Sequence, residues 1–375
     1  MPSEDQHFMQ LAVEEACKGQ GRVEPNPMVG CIVVSQDEII GRGHHEIFGG
    51  PHAEIKAIAS VVESNFHRIN GATAYVTLEP CSHTGKTGPC TEALINAGIA
   101  RVVVAHFDPN PLVAGQGIQQ LQNAGIEVTT DVLSDLAQQT LAPYLKWTQK
   151  HKPWIIAKWA MTLDGKIATT TGHSQWISNS SSRELVHQIR GRVDGVMVGI
   201  GTAIADDPML NARPPGCRNA ARIVVDSKAR LSPDSQLALS AQSHKTIIAV
   251  GPEADSQNCE RLKALGCDVF YSNFEPADER LNDILIHLAK LGMTNLLVEG
   301  GGKLLGSLHT MCEIDEVHIF IGPKIVGGSE ALSPVEGIGI ADMSNATNLS
   351  NMKVEQINND IYISGRVNRS SLGVS

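Results

Sequence analysis

One histidine, one glutamate and two cysteines in the first half of the chain have the types and order of a catalytic zinc site. His52 and Glu54 belong to a Pro-His-Ala-Glu segment, and Cys81 follows a Glu-Pro pair and precedes Cys90 by eight intervening residues. An imidazole and two thiolates provide three zinc ligands and leave the fourth tetrahedral position to water, whose pKa zinc lowers towards neutrality. Glu54 is expected beside that water as a general acid and base, not as a ligand.

The order His-x-Glu, then Pro-Cys, then a second cysteine is typical of zinc deaminases that act on nucleobases. Their cysteines are usually two residues apart, whereas here the interval is eight. A chance His-Ala-Glu with two inert buried cysteines would explain either half of the pattern, but not both halves in this order. A non-catalytic metal-binding module, closed by a fourth protein ligand, is the other alternative, and the role of Glu54 distinguishes it.

The residues around this pattern predict alternating helices and strands. Ser3 and Gln6 can form a capping box for a helix that reaches about Lys18. Alternation of strands with helices indicates an α/β layered domain that ends near residue 145. The elements predicted after the first helix are a strand at 28–34, a helix after His52, a strand at 73–78, a helix after Pro89, a strand at 101–105, a helix at 117–124 and a strand at 126–129.

The composition sets limits on the kind of protein. The chain has 375 residues, 42% hydrophobic and 19% charged, which predicts two folded domains. Its net charge is −10, with −7 carried by the residues up to Lys150, so DNA or RNA binding is not expected. The longest apolar runs, such as residues 247–250, are far shorter than the ~20 residues of a membrane-spanning helix.

The eight cysteines are too sparse for a disulfide scaffold, and the acidic N-terminus is unlike a signal peptide. A cytoplasmic location is therefore expected, where clustered cysteines suggest metal binding or catalysis. The remaining thiols are interpreted as buried or incidental: Cys17, Cys31, Cys217, Cys259, Cys267 and Cys312.

The long interval between the two cysteines resembles that of the riboflavin-biosynthesis pyrimidine deaminases. Similar segments are Pro-Cys-Ser-His-Thr-Gly-Lys-Thr-Gly-Pro-Cys at 80–90, Pro-Asn-Pro-Met-Val-Gly at 25–30, the stretch 43–54, and Asp-Pro-Asn-Pro at 108–111 with Gly115 and Gly117. The resemblance implies a cytidine-deaminase-like three-layer fold. It also implies that Asn26, His45, His83 and Lys86 hold the pyrimidine and the ribose phosphate, and a cation such as Lys86 suits a phosphate. No role is predicted for His44.

The second half is also predicted to be α/β, after a basic connector at 146–153 that places the domain boundary near 148. The domains are thus expected at 1–148 and 149–375. Strands are predicted at 154–158, 195–198, 222–226, 246–250, 295–299 and 316–321, with helices at 181–190, 278–291 and 304–308.

Three glycine-bearing clusters in this half could form phosphate-binding turns. They are Glu299-Gly-Gly-Gly-Lys303, Gly199-Ile-Gly-Thr202 and Thr162-Leu-Asp-Gly-Lys166. A glycine turn that opens a helix suits a phosphate, but no Gly-x-Gly-x-x-Gly fingerprint is present, so a Rossmann domain is not supported. Each cluster by itself could equally be a tight turn, and the third could be a hairpin turn built on Asp-Gly.

Four segments together resemble the reductase of the same riboflavin pathway, at 158–166, 174–177, 199–213 and 298–302, within a match of about 153–327. The resemblance implies a dihydrofolate-reductase-like fold that uses NADPH. Residues implied to face NADPH are Ala160, Trp176, Thr202, Asp206, Ser227, Gly301, Gly302, Lys303, Leu304, Leu305, Gly306 and Ser307. Residues implied to face the substrate are Ser174, Arg190, Leu210, Arg213 and Glu299.

Lys158 and Asp206 are candidates for polarising or protonating the ribose carbonyl, although an ordinary ion pair would explain the same two residues. Arg190 and Arg213 suit bidentate binding of a phosphate. The two halves together predict a bifunctional enzyme that deaminates a phosphorylated diaminopyrimidine with Zn²⁺ and then reduces its ribosyl chain with NADPH. Its partners are expected to be these small molecules and a second copy of the chain, with no nucleic acid or membrane. The alternative is a nucleic-acid or nucleoside zinc deaminase with an unrelated C-terminal domain.

Overall fold

The computed structural model describes residues 3–83, 88–110, 113–213 and 218–368, and the chain divides into two compact units between Lys152 and Pro153. Each unit has its own sheet. None of the described helices combines the length and the apolar character that crossing a bilayer requires.

The first unit is a five-stranded sheet covered by helices on both faces. Its strand order is β2-β1-β3-β4-β5, with β1 antiparallel to its two neighbours and β3, β4 and β5 parallel. The elements in chain order are α1 Glu4–Ala16, β1 Gly30–Ser35, β2 Glu38–His44, α2 Ala53–Ala59, β3 Thr73–Val76, α3 Cys90–Asn96, β4 Arg101–Val104, α4 Gln116–Asn123, β5 Glu127–Thr129 and α5 Ser134–Lys150.

Strand β1 shows how the sheet divides the core in two. Cys31 and Val33 face a cluster that includes buried residues of α2, α3 and α4, whereas Ile32 and Val34 face a cluster that includes α1 and α5. Successive side chains of a strand point to opposite faces, so one apolar strand supplies both cores. The three-layer α/β fold is confirmed.

The capping box at the start of α1 is present, since Gln6 N donates to Ser3 Oγ and Ser3 N donates to the Gln6 side chain. Two elements of this unit were not predicted, β2 and α5. The expectation of a connector beginning at residue 146 is wrong, because α5 continues to Lys150. The buried face of α5 includes Leu141 and Tyr144, but Pro143 lies between them. Because proline is unusual inside a helix, the sequence did not indicate a helix here.

The second unit is built on a sheet of nine described strands in the order β10-β9-β8-β7-β11-β6-β12-β14-β13. The strands from β10 to β12 run parallel, and β14 and β13 are antiparallel additions at one edge. The elements are β6 Trp154–Thr162, α6 Ser180–Arg190, β7 Gly195–Gly199, α7 Ile200–Asp206, β8 Ala221–Val225, α8 Gln236–Leu239, β9 Thr246–Val250, α9 Ser256–Ala264, β10 Asp268–Tyr271, α10 Ala277–Lys290, β11 Asn295–Glu299, α11 Gly302–Thr310, β12 Ile314–Gly322, β13 Asn348–Ile357 and β14 Asp360–Asn368.

The parallel strands end at one edge of this sheet, and the glycine clusters at 199–202 and 299–303 both lie at that edge. Each joins a strand to a helix, β7 to α7 and β11 to α11. Ligands of open α/β sheets bind beyond the carboxyl ends of the strands, so this edge is where a site is expected.

Candidate active sites

His52, Cys81 and Cys90 come together at the beginnings of two helices in the first unit. His52 immediately precedes α2, and Cys90 is the first residue of α3. His52 Nδ1 lies 3.2 Å from Cys90 Sγ and 3.5 Å from Cys81 Sγ. Nitrogen and sulfur ligands of one tetrahedral zinc ion are about 3.6 Å apart, so the donor set and the spacing fit Zn²⁺. Within the described residues no fourth His, Cys, Asp or Glu joins this cluster.

The surroundings of Cys81 favour its thiolate form. The backbone N–H of Cys90 donates to Cys81 Sγ over 3.5 Å. Hydrogen bonding from Cys90 and from His52 holds the pKa of Cys81 at about 4, against the opposing effect of burial. A thiolate is the form that ligates a metal, so the cluster is electrostatically prepared for a cation.

Glu54 lies in the first turn of α2 with 3% of its surface exposed. Burial raises the pKa of the Glu54 carboxyl, and the neighbouring Cys81 adds to the shift. A carboxyl whose pKa is brought towards neutrality can both accept and return a proton, as general acid–base chemistry requires. Its position next to the cluster, but outside the set of three donors, is the arrangement expected from the sequence.

Asn26 and His45 contact each other beside the cluster. Asn26 Nδ2 lies 3.0 Å from His45 Nε2, and His45 Nδ1 lies 3.1 Å from the Pro51 carbonyl oxygen. A neutral ring that donates from Nδ1 and accepts at Nε2 satisfies both contacts, and burial lowers the pKa of His45 accordingly. The His45 ring meets that of His52 edge-on at 5.4 Å.

The structure gives fewer contacts for the other two predicted substrate residues of this half, His83 and Lys86. His83 is exposed. Lys86 lies outside the described residues. His44, to which no role was assigned, lies 3.1 Å from the buried Glu15.

Glu79 is a residue of this site that the sequence analysis did not single out. It is 3% exposed, and its carboxylate accepts hydrogen bonds from the backbone of four residues in and before α4: Asp108, Gly115, Gly117 and Ile118. It thereby ties the chain just before Cys81 to a segment nearly 40 positions later. The signal in the sequence was an acidic residue directly before the Pro-Cys pair, where a strand ends.

A cavity of about 1480 Å³ opens at the carboxyl edge of the second sheet. The predicted residues that line it are Lys158, Ala160, Ser174, Trp176, Arg190, Thr202, Asp206, Leu210, Arg213, Ser227, Glu299, Gly301, Gly302, Lys303, Leu304, Leu305 and Ser307. Leu304 and Leu305 bury their side chains in the core. At these two positions a ligand can therefore contact only main-chain atoms.

Gly306 is the predicted cofactor residue that does not line the cavity. A Cβ atom at Gly306 would lie 1.9 Å from the carbonyl oxygen of Glu336. Its glycine is therefore required by close packing of α11 against the main chain at residue 336, and a contact of Gly306 with NADPH stays a prediction.

Arg190, Glu299 and Lys158 form a buried charge cluster at one end of the cavity. Arg190 donates to both carboxylate oxygens of Glu299, over 2.5 and 2.9 Å. Lys158 Nζ lies 3.5 Å from the same carboxylate. Two of the Arg190 donor groups are therefore occupied by Glu299. The binding of a substrate phosphate by Arg190 or Arg213 stays a prediction.

Asp206 is not the ion-pair partner of Lys158. It is exposed, and Ser174 Oγ donates to its carboxylate over 3.4 Å. Partial desolvation at the cavity wall raises the pKa of Asp206, whereas burial lowers the pKa of Lys158 against the attraction of Glu299. Both shifts bring the two groups towards the pH range in which proton transfer is effective.

The turn between β11 and α11 leaves room for a ligand against the main chain. Gly301 has a φ of +83°, and a Cβ atom there would lie 3.3 Å from Thr202 Oγ1. A larger residue would fill the space between the two loops. Backbone N–H groups at the start of a nine-residue helix suit a phosphate, so this turn fits the phosphate part of a dinucleotide.

The third glycine cluster anchors a segment that we call the strap, residues 323–336. The Asp164 carboxylate accepts from the N–H groups of Val326 and Gly327, and Lys166 Nζ donates to the Ala331 carbonyl. The far end of the strap is bound to α11, since Glu336 N donates to Gly302 O. The cluster is a structural turn, and it holds a wall of the cavity in place.

Both halves of the chain match family models. That of the cytidine and deoxycytidylate deaminase zinc-binding region matches residues 2–106, and that of the RibD C-terminal domain matches residues 153–363. The chain is 40% identical over 359 residues to riboflavin biosynthesis protein RibD of Actinobacillus pleuropneumoniae, a match that covers 96% of this chain and 94% of that protein. The chain belongs to the RibD family.

RibD proteins of known structure share the fold of the whole chain. Acinetobacter baumannii RibD superposes with a TM-score of 0.84 at 34% identity, covering 97% of this chain and 99% of that one. A Thermotoga maritima protein described as a diaminohydroxyphosphoribosylaminopyrimidine deaminase/5-amino-6-(5-phosphoribosylamino)uracil reductase gives 0.82 at 34% identity with the same coverage. Escherichia coli RibD is 33% identical over 373 residues.

Membership of the RibD family identifies the chain as a bifunctional deaminase and reductase of riboflavin biosynthesis. Its N-terminal domain is a cytidine-deaminase-like zinc domain, and its C-terminal domain is a dihydrofolate-reductase-like domain of the type that uses NADPH. An unrelated C-terminal domain is excluded. The match to residue 363 also shows that the family extends past residue 327, into β13 and β14, which the sequence analysis did not predict.

Proposed function

We propose that the chain deaminates 2,5-diamino-6-ribosylamino-4(3H)-pyrimidinone 5′-phosphate and then reduces its ribosyl side chain to give 5-amino-6-ribitylamino-uracil 5′-phosphate. The observation that carries this proposal is the presence of two different sites, a His/Cys/Cys cluster with a buried glutamate and a cavity with a largely buried lysine. We assign deamination to the first unit and reduction to the second, with the boundary between Lys152 and Pro153 and not near 148, which lies within α5.

In the deaminase, His52, Cys81 and Cys90 would hold Zn²⁺, which supplies Lewis acidity and lowers the pKa of water. Glu54 accepts the proton of the attacking water and delivers it to the exocyclic nitrogen, which leaves as ammonia. Asn26 and His45 are assigned to the pyrimidine, since His45 occupies the amide nitrogen of Asn26 and leaves its oxygen for the ring. His83 and Lys86 are assigned to the ribose phosphate.

In the reductase, bound NADPH supplies a hydride to the ring-opened ribosyl carbonyl. The oxygen of that carbonyl requires a proton, and we assign its donation to Lys158, whose ammonium group lies 3.5 Å from the Glu299 carboxylate. Asp206 and Ser174 lie at the same cavity wall and can exchange protons with solvent. Arg213 and Leu210 would contact the substrate, and Thr202, Ser227 and the turn at Gly301 would contact the cofactor.

We also propose that the protein is a cytoplasmic homo-oligomer that binds no nucleic acid. Cytoplasmic location suits its metal-binding thiols, which a reducing compartment keeps free. Strand β13 supports self-association, because it lies at the edge of the described sheet and exposes Met352 and Val354 by 54% and 63%. Light scattering of the purified protein would test the oligomeric state, and a gel shift with tRNA would test the exclusion of nucleic acid.

Mass spectrometry of the reaction products tests the main proposal. Zinc-loaded protein and the diaminopyrimidinone ribosyl phosphate are incubated with and without NADPH. The expected result is exchange of an amine for oxygen in both tubes and gain of two hydrogens only with NADPH. Absence of amine exchange contradicts the pyrimidine assignment. Absence of reduction alone contradicts the C-terminal assignment.

A further inference from the structure

Glu336 is an acidic residue in the wall of the reductase cavity, next to the turn that fits a phosphate. It is the last residue of the strap, and it lines the cavity together with Gly301, Gly302 and Lys303. Its main chain is held on α11 at two points, since Glu336 N donates to Gly302 O over 3.0 Å and its carbonyl oxygen packs against Gly306. The side chain of Glu336 therefore starts from a defined position beside this helix.

The carboxylate of Glu336 lies against Gly302, the first residue of α11. A Cβ atom at Gly302 would lie 2.6 Å from Glu336 Oε1 and 2.5 Å from the Ser333 carbonyl oxygen. Because Cβ is one single bond of about 1.5 Å from Cα, the carboxylate oxygen is within about 4 Å of the Gly302 Cα atom. Glycine at this position allows the strap to bring a negative charge this close to the start of the helix.

The start of α11 attracts anions, and Glu336 brings one there from another segment. The first turn of α11 contains no acidic residue, and Gly301 provides no side-chain cap. The backbone N–H groups and the positive end of the helix dipole therefore favour a negative charge. Within the described ranges, no lysine, arginine or histidine forms an ion pair with Glu336. The charge of this carboxylate is consequently felt by any phosphate that binds at the same turn.

We propose that the Glu336 carboxylate repels the pyrophosphate of the cofactor, and so weakens NADPH binding and speeds the release of NADP⁺. This inference rests on the proposed reductase function and on the fit of a phosphate at the Gly301 turn. Like charges a few ångströms apart at a partly exposed site repel strongly enough to change a Kd several-fold. A reductase exchanges its cofactor in every turnover, and release of a product often limits kcat, so weaker binding favours turnover.

A carboxylate at this place has one alternative role, which is to accept a hydrogen bond from a ribose hydroxyl of the cofactor. The two roles predict opposite effects of removing the negative charge. Loss of a repulsive charge tightens cofactor binding, whereas loss of a charged acceptor weakens it. The sign of the change in affinity therefore distinguishes them.

The test measures binding of NADP⁺ to the full-length protein by calorimetry, without turnover. In E336Q the Kd for NADP⁺ should fall about 3- to 30-fold, mainly through slower dissociation. This gain should shrink at high salt, because screening weakens the repulsion in the wild type. E330Q is the matched control and should bind NADP⁺ like the wild type. Glu330 is exposed on the same strap and does not line the cavity, so the change removes one negative charge away from the turn.

E336D withdraws the carboxylate by one methylene group, and its Kd should lie between those of the wild type and E336Q. It tests the same point if E336Q fails to fold, and a gain in affinity cannot result from misfolding. An unchanged Kd in both variants overturns the proposal, and a higher Kd overturns it in favour of the hydroxyl-acceptor role. A wild-type protein that binds no NADP⁺ contradicts the reductase function itself.

Discussion

Lys158 and Glu299 are register partners on the neighbouring parallel strands β6 and β11, and their charged groups lie 3.5 Å apart. Arg190 binds the same carboxylate from α6. One buried anion therefore faces two cations, and the cluster keeps an excess of positive charge at the end of the cavity. That excess suits an oxygen that becomes negative during reduction of a carbonyl.

Glu299 should make the stability of the protein depend on pH. Burial alone would raise the pKa of Glu299, but Arg190 and Lys158 hold it at about 2 in the folded chain. Because this pKa is lowered on folding, the stabilisation is present above pH ~4.5 and is lost as pH falls towards 2, by about 3 kcal/mol in total. Urea unfolding followed by tryptophan fluorescence should show that E299Q is less stable at pH 7 and has a smaller acid dependence. The same acid dependence in both proteins would contradict this role.

Lys158 should be required for reduction and not for deamination. Replacing it by Met in K158M removes the proton donor, so reduction should fall by about 10²- to 10⁴-fold. In the wild type, kcat/KM for reduction should decline on the alkaline side below pH 10.5, because burial lowers the pKa of Lys158. K290M, an exposed change at the end of α10, is the control. An unchanged rate of reduction by K158M would contradict the assignment of Lys158 as proton donor.

Glu54 should be essential for chemistry but dispensable for the metal. E54Q keeps the shape of the side chain and removes its basicity, so deamination should drop by at least about 10²-fold while the zinc content stays near one per chain. Zinc measured by atomic absorption and ammonia release are the two readouts. E63Q, on an exposed segment of the same unit, should match the wild type. Loss of zinc in E54Q would instead support a structural role for Glu54.

Removal of the metal should separate the two activities. A chelator, or the change C90S, should abolish deamination and leave NADPH-dependent reduction within about twofold, because the reductase residues belong to a separate core. C17S is the matched control, since Cys17 is exposed and outside the cluster. Reduction that disappears together with the zinc would show that the two sites are not independent.

Glu79 should stabilise the zinc loop through its hydrogen bonds. E79Q replaces one acceptor oxygen by an amide that faces backbone N–H donors, and this should cost about 1–3 kcal/mol of folding stability. Zinc should also bind more weakly, because the chain before Cys81 loses its attachment to α4. The comparison is E92Q, at an exposed position of α3. A metal competition assay that gives equal zinc affinities for the two variants would contradict this prediction.

The sequence predicted the cluster of His52, Cys81 and Cys90 because these residues lie close to positions that a sequence reveals. His52 and Cys90 both lie where a helix begins, and proline precedes each of them. Most of the strands were found for a different reason, since fully buried strands such as β9 contain continuous apolar runs. Strand β13 has mostly exposed residues, and β14 has mostly half-buried residues with polar side chains among them, so neither strand gives such a signal.

The reductase site was less predictable because its charges are set by distant contacts. Nothing in the sequence separation of Arg190 and Glu299 indicates that they bind each other across 109 positions. Sequence alone therefore favoured a phosphate clamp at Arg190. Similarly, Gly306 follows the glycine turn closely in the sequence, but it lies inside α11, and only the structure shows that it packs against the main chain at residue 336.

The contacts between the strap and the turn at Asp164 limit how segments of this domain can be exchanged between related proteins. Asp164 and Lys166 hold main-chain atoms of residues 326–331, so the two segments are one unit in space although they lie far apart in the gene. A chimera that takes only one of these segments from a relative would combine the strap of one protein with the Asp164 turn of another. Crossover points for recombination in this half are therefore best chosen so that residues 162–166 and 323–336 come from the same parent.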